Sequence, residues 1–149
     1  MITLDLKEEA LVAGLARLSA GLDDMTPVMD QIGLYLVEST VRRFGEGVDP
    51  DGNPWAANSP VTLARKSDPR PLFREGNLSD KIFHEAGPDQ VEVGSNRVQA
   101  AMMQFGGTKA AFPHLWGDIP ARPFIGVSPE DETALVEIVE EYLAGLAQP

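Results

Sequence analysis

Cysteine is absent from the 149 residues. That excludes disulfide staples and every cysteine-ligated zinc or iron–sulfur site. Histidine is scarce. The chain holds two, His84 and His114, and neither has a second histidine or a carboxylate at a dependable metal-ligand spacing. No apolar run reaches the roughly 18 residues of a membrane span. No basic start followed by an apolar core marks a signal peptide. Bases are outnumbered, 12 Lys and Arg against 23 Asp and Glu, for a formal net charge of −11. A protein that grips nucleic acid through its phosphates shows a basic face, so direct nucleic-acid binding is not expected. The bases lean towards the middle (Arg65, Lys66, Arg70, Arg74, Lys81), interleaved with acids. After Ser128 come Glu130, Asp131, Glu132, Glu137, Glu140 and Glu141 and no base at all. Two readings fit that tail: a solvated acidic helix face, or a surface that repels DNA or meets a basic partner.

Catalytic signatures are missing too. No serine sits in a GxSxG elbow, and no phosphate loop is present. Gly45 and Gly47 start a dinucleotide-like GxG, but the third glycine is lacking and a helix, not a strand, precedes it. Asp49, Asp51 and Asn53 imitate the start of a calcium loop. Pro54 and Pro60 then stand where that loop needs glycine and a bidentate glutamate, so an Asx-rich turn is the expectation. The paired carboxylates (Asp23-Asp24, Asp49/Asp51, Glu140-Glu141) fall in caps, loops and exposed helix faces. No catalytic, cofactor-binding or metal-ligating residue is assigned, and a small hydrolase is the weakest of the function classes.

What is present reads as one domain over 1–149. Leu11, Leu15, Leu18 and Leu22 give residues 5–20 a helical stripe, with Asp5 and Glu8 as a capping box. A second helix is predicted over 27–44, capped by Thr26 with Pro27 in its first position. Val28, Ile32, Tyr35 and Leu36 form its stripe; Leu34, Val37 and Val41 widen it. Residues 45–60 are a loop by composition, Ser59 opens a short helix to about 66, and SDPRP (67–71) breaks it. A turn is expected within 72–78. KIFHEA (81–86) and QVEVGS (90–95) alternate as two strands around Gly87-Pro88-Asp89. Residues 96–105 are apolar enough for a buried helix ended by Gly106-Gly107. Residues 119–127 are extended, and two prolines keep them at a sheet edge or irregular. Ser128-Pro129-Glu130-Asp131 starts a last helix with its stripe at Leu135, Ile138, Val139, Tyr142 and Leu146. The fold class is α+β: a small, mostly antiparallel β-sheet packed with N-terminal, central and C-terminal helices.

One run stands apart. QFGGTKAAFPHLWGDIPARPFIGV (104–127) gathers glycines, prolines, a tryptophan and three phenylalanines around Arg122. Its 106–118 portion approaches the length at which a loop without secondary structure is usually functional or disordered. Large aromatics in a loop either tuck onto the core or anchor an interface. The interaction candidates are Phe112, Trp116, Arg122 and Phe124, with Trp55 from the 45–60 loop. Arg122 serves equally as an internal tie or an intermolecular one, and Trp55 equally as a core residue.

The order of blocks is specific: PWAANSPVTLARK (54–66), PLFREGNLSDKI (71–82), a hairpin ending VEVGS (91–95), MQFGG (103–107) and IPARPFIGVSPED (119–131). In this order, over roughly 25–146, the chain resembles the phage virion morphogenesis family, the tail-completion proteins of contractile-tailed, Mu-like phages. Met103 stands where the family often has a histidine, and Gln99-Ala100-Ala101 where it often has a tyrosine. The resemblance implies a non-enzymatic assembly role without cofactor or membrane, in tail completion or head–tail joining. Implied partners are other tail and neck proteins and further copies of the chain, in a ring if the contact repeats around an axis. The implied setting is the bacterial cytoplasm during assembly, then the virion tail or neck. A DNA-contacting connector is the alternative.

Overall fold

A computed structural model describes residues 8–65, 67, 69–72 and 78–148. The elements run α1 (Glu8–Asp23), α2 (Thr26–Glu46), α3 (Pro60–Arg65), a 3-10 turn (Ser79–Lys81), β1 (Phe83–Ala86), β2 (Val91–Gly94), α4 (Ala100–Phe105) and α5 (Pro129–Ala147). The α+β class expected from the sequence is what the chain adopts. The Asp5–Glu8 capping box, Lys66, Arg74 and most of the turn expected within 72–78 lie outside the described residues.

α2 is the central element. The hairpin packs on it, α5 packs on it, and α1 lies against α5. β1 and β2 pair antiparallel, with His84 opposite Val93 and Glu85 opposite Glu92. His84 and Ala86 turn towards α2, while Phe83 and Glu85 stay exposed. The approach to α2 is close enough to require glycine: a Cβ on Gly33 would fall 2.3 Å from the His84 ring. Glycine inside a helix costs about 0.5–1 kcal/mol relative to alanine; here it lets the hairpin sit directly on the helix backbone. His84 Nε2 also lies 2.8 Å from Asp30 Oδ1 on the same helix, and Met25 N–H donates to the Pro88 carbonyl at 2.9 Å. The hairpin is thus tied to α2 at its turn and along β1.

Three element readings need correction. Thr26 does not cap α2 with its own side chain: the helix starts on Thr26, and Asp24 Oδ1 accepts its N–H at 3.0 Å and its hydroxyl. Those two hydrogen bonds hold the Asp24 carboxyl below its ordinary pKa. The helix predicted over 96–105 shrinks to α4, because 96–97 carry no regular structure and Val98 and Gln99 form a turn instead, and Val98 and Phe105 stay exposed. The leucine stripe of α1 is covered only in part, with Leu18 half-buried. α1 meets α5 where Gly21 takes the Leu146 side chain, and Leu11, Leu15 and Leu22 remain exposed. A glycine flank permits a closer approach than a leucine flank. Leu34 and Val41, expected to widen the buried face of α2, are exposed as well.

The main core joins distant segments: Phe44, Trp55, Leu78, Ile82, Ala100 and Phe124. Phe44 packs edge-on to Trp55 with ring centroids at 5.5 Å, and meets Phe124 at 5.3 Å. Both spacings lie in the range favoured by the ring quadrupoles.

Candidate interaction surface

The extended arm, residues 119–127, makes no regular strand beyond one pairing of Ile119 with Gly107. Pro120 and Pro123 have no N–H, so a continuous ladder cannot form there. Side chains of the body replace the missing ladder. Gln104, at the end of α4, accepts the N–H groups of Phe124 and Ile125 on one oxygen at 3.0 Å each. Its amide nitrogen donates to the Ile125 carbonyl at 3.0 Å. Trp55 Nε1 donates to the Pro123 carbonyl at 2.7 Å. Arg43 Nη1 donates to the Phe124 carbonyl at 3.1 Å.

Arg122 works the other way, from the arm to the body. Its Nε donates to the Ala56 carbonyl at 2.7 Å and its Nη2 to the Ala57 carbonyl at 2.9 Å. The two bonds use the planar fork that lysine lacks. Burial presses its guanidinium pKa down, yet arginine starts so high that it stays charged. The backbone N–H of Arg122 donates to the Met103 carbonyl at 2.7 Å.

Beneath the arm a buried polar cluster fastens α2 to the start of α5. Ser128 and Asp131 form a reciprocal capping box: the Ser128 hydroxyl accepts Asp131 N–H at 3.0 Å, and the Asp131 carboxylate accepts Ser128 N–H at 2.9 Å. The same carboxylate accepts the Ser39 hydroxyl at 2.6 Å and pairs with the Arg43 guanidinium. Burial by itself would raise the Asp131 pKa. The Ser128 N–H, the Ser39 hydroxyl and the Arg43 charge outweigh it and hold the carboxyl below its ordinary value.

Trp55, Arg122 and Phe124, offered from sequence as interface anchors, are therefore internal: all three are buried, Phe124 completely. Phe112 is half exposed, with its ring edge-on to His114 at 6.2 Å. Trp116 is fully exposed, at 102% of its reference area. It rides on an Ω-shaped loop closed at its base by the reciprocal Gly107–Ile119 hydrogen bonds, 2.9 and 2.7 Å, and by Lys109 N–H to Asp118 Oδ1 at 2.8 Å. Gly106 opens the loop at φ +69°, and a Cβ there would fall 2.7 Å from the Ala121 nitrogen. Sequence reading overlooked Phe105, exposed at 79%, and Gln104.

Among the described residues no three His, Asp or Glu side chains converge on a metal position. The DPDGN segment is the expected Asx turn, with Asp49 Oδ1 accepting the N–H groups of Asp51 and Asn53. A cleft of about 330 Å³ between α2 and α5 is lined by Arg42 together with Glu46, Asp49, Asp51 and Glu130, mixing one exposed cation with several carboxylates. On α5, Val136 lies exposed among Glu132, Glu137 and Glu140. Among the described residues no helix is long and apolar enough to cross a membrane.

Comparison with known proteins decides the lineage. Residues 6–144 match the phage virion morphogenesis family. The chain belongs to that family. A putative capsid assembly protein G of Escherichia phage Mu is 32% identical over 115 residues, 73% of each chain. A Mu-like prophage FluMu G protein 2 of Haemophilus influenzae is 27% identical over 143 residues, 95% of this chain and 96% of the relative. No solved structure matches the chain. For this member of the virion morphogenesis family, the PARPF block proves to be the arm whose Arg122 and Phe124 are built into the body.

Proposed function

We propose that this virion morphogenesis protein is a non-enzymatic assembly factor that completes the tail or joins it to the head. It acts through contacts with other virion proteins and with copies of itself. It would work in the bacterial cytoplasm during assembly and remain in the tail or neck of the particle. The observation that carries the reading is the contrast within one run: the arm is cemented into the core while the Trp116 loop is presented to solvent on a hydrogen-bonded base. A rigidly presented, fully exposed tryptophan is what an interface anchor requires. The name of the Mu relative, a putative capsid assembly protein, favours a position at the head-proximal end, where both outcomes of assembly meet. The acidic balance suits a neck component, because a negative lumen repels the phosphates of passing DNA.

The test is deletion of the gene from its phage or prophage, with the induced lysate viewed by negative-stain electron microscopy. Filled heads beside unattached or abnormal-length tails are expected. Normal infectious particles at normal yield would sink the proposal.

A further inference from the structure

Among the described residues, two exposed apolar surfaces carry large side chains and unlike charges. One is the leucine side of α1. Leu11, Leu15, Leu18 and Leu22 follow the 4-3-4 spacing of a coiled-coil seam, but α1 uses its glycine flank to meet α5 and leaves Leu11, Leu15 and Leu22 about half exposed. The other is α4 with the loop that follows, carrying Phe105 and Trp116.

Their charges are unlike. The α1 face is flanked by exposed Glu9 at one end and Asp23 and Asp24 at the other, with Arg17 between. Exposed Arg97 precedes α4, and Lys109 lies at the base of the Trp116 loop, next to Asp118. An α1–α1 contact would set acidic ends against acidic ends in either direction, and like charges across an interface select against that pairing. Contact between unlike faces sets Arg97 and Lys109 near the α1 carboxylates.

We propose that the chain associates head to tail with a second copy of itself, the Trp116 loop of one protomer seating on the leucine side of α1 in the next. The inference rests on the self-association reading above and specifies its two faces. Because the faces differ, the contact is heterologous: it closes into a ring or continues as a filament, and it does not stop at a two-fold dimer.

Sedimentation velocity on the full-length protein across the micromolar range tests it, with Trp116→Ala and Leu15→Asp as variants and Leu15→Gln as a milder substitute should the aspartate unfold α1. Circular dichroism confirms folding. The wild type should sediment as a species larger than a dimer. Each variant should weaken association at least about 30-fold, the size of a hot-spot truncation. Mixing the two variants should give a one-to-one dimer and nothing larger, since each supplies one intact face. A wild type that stays monomeric, variants that assemble normally, or a mixture that stays monomeric would overturn the proposal. A monomeric wild type whose Trp116→Ala form still fails to rescue a deletion phage would also overturn it, by pointing to another virion protein as the occupant. That outcome would leave the assembly role standing, because the role is judged by the deletion lysate alone.

Discussion

The arm at 119–127 and the loop at 106–118 come from one run of similar composition, and the fold treats them in opposite ways. The arm's backbone is satisfied by the body: Gln104, Trp55 and Arg43 each bond to it, and Arg122 bonds back. The loop's backbone is satisfied by the loop itself, through Thr108, Phe112, Asp118 and the Gly107–Ile119 pair. An aromatic side chain follows its backbone. Phe124 is drawn in where the body supplies hydrogen bonds, and Trp116 stays out where the loop closes on itself. Aromatic content alone does not separate cement from contact surface; the source of the backbone hydrogen bonds does.

The contrast can be broken deliberately. Phe124→Ala removes a fully buried ring and should destabilise the protein by about 3–5 kcal/mol, read from urea unfolding. A loss under 1 kcal/mol, on the order of a surface change, would mean the arm is not cemented. Asp131→Ala leaves the buried Arg43 charge unpaired and should cost about 3–5 kcal/mol. The pH dependence follows from the sign of the shift. The folded Asp131 carboxyl titrates below its unfolded value of about 3.9. Its contribution is therefore complete above that value and fades as pH falls through the lower, folded pKa. Wild-type thermal stability should drop on acidification below about pH 4, and that component should vanish in Asp131→Asn.

Arg122→Lys keeps the charge but loses the fork to the Ala56 and Ala57 carbonyls. Leaving those acceptors under-satisfied should cost about 1–3 kcal/mol, visible as a lower denaturation midpoint with an unchanged slope. A neutral result would show that one donor suffices. Trp116→Ala sits at the other end of the scale. It should alter unfolding free energy by less than about 0.5 kcal/mol while reducing plaque formation when supplied in trans to a deletion phage. A stability loss comparable to that of Phe124→Ala would erase the distinction between loop and arm.

Much of the secondary structure was readable in the amino-acid order, because it is set by local chemistry. Ser128-Pro129-Glu130-Asp131 starts α5 as expected, since a cap needs only neighbours three residues away. Gly87-Pro88-Asp89 lies in the turn between the two strands, and Gly106 ends α4 through a positive φ that other residues resist. The order of blocks from PWAANSP to PARPFIGV was also enough to place the family, because that order survives without any knowledge of contacts.

Tertiary structure decided which apolar residues are inside. The leucines of α1 have helical spacing whether or not a partner exists, and only the packing against α5 shows that Leu18 is half-buried while Leu11, Leu15 and Leu22 stay exposed. Asp131 reads as one more acid in an acidic tail, yet it is the buried partner of Arg43, 88 residues earlier. Arg122 finds its carbonyls 66 and 65 residues back in the chain, and Gln104 becomes a surrogate strand only because two prolines deny the arm a ladder. Caps and turns follow from residues a few positions apart, so the sequence by itself determined them. Burial and charge pairing depend on which distant segments meet, and that was decided only when the chain closed on itself.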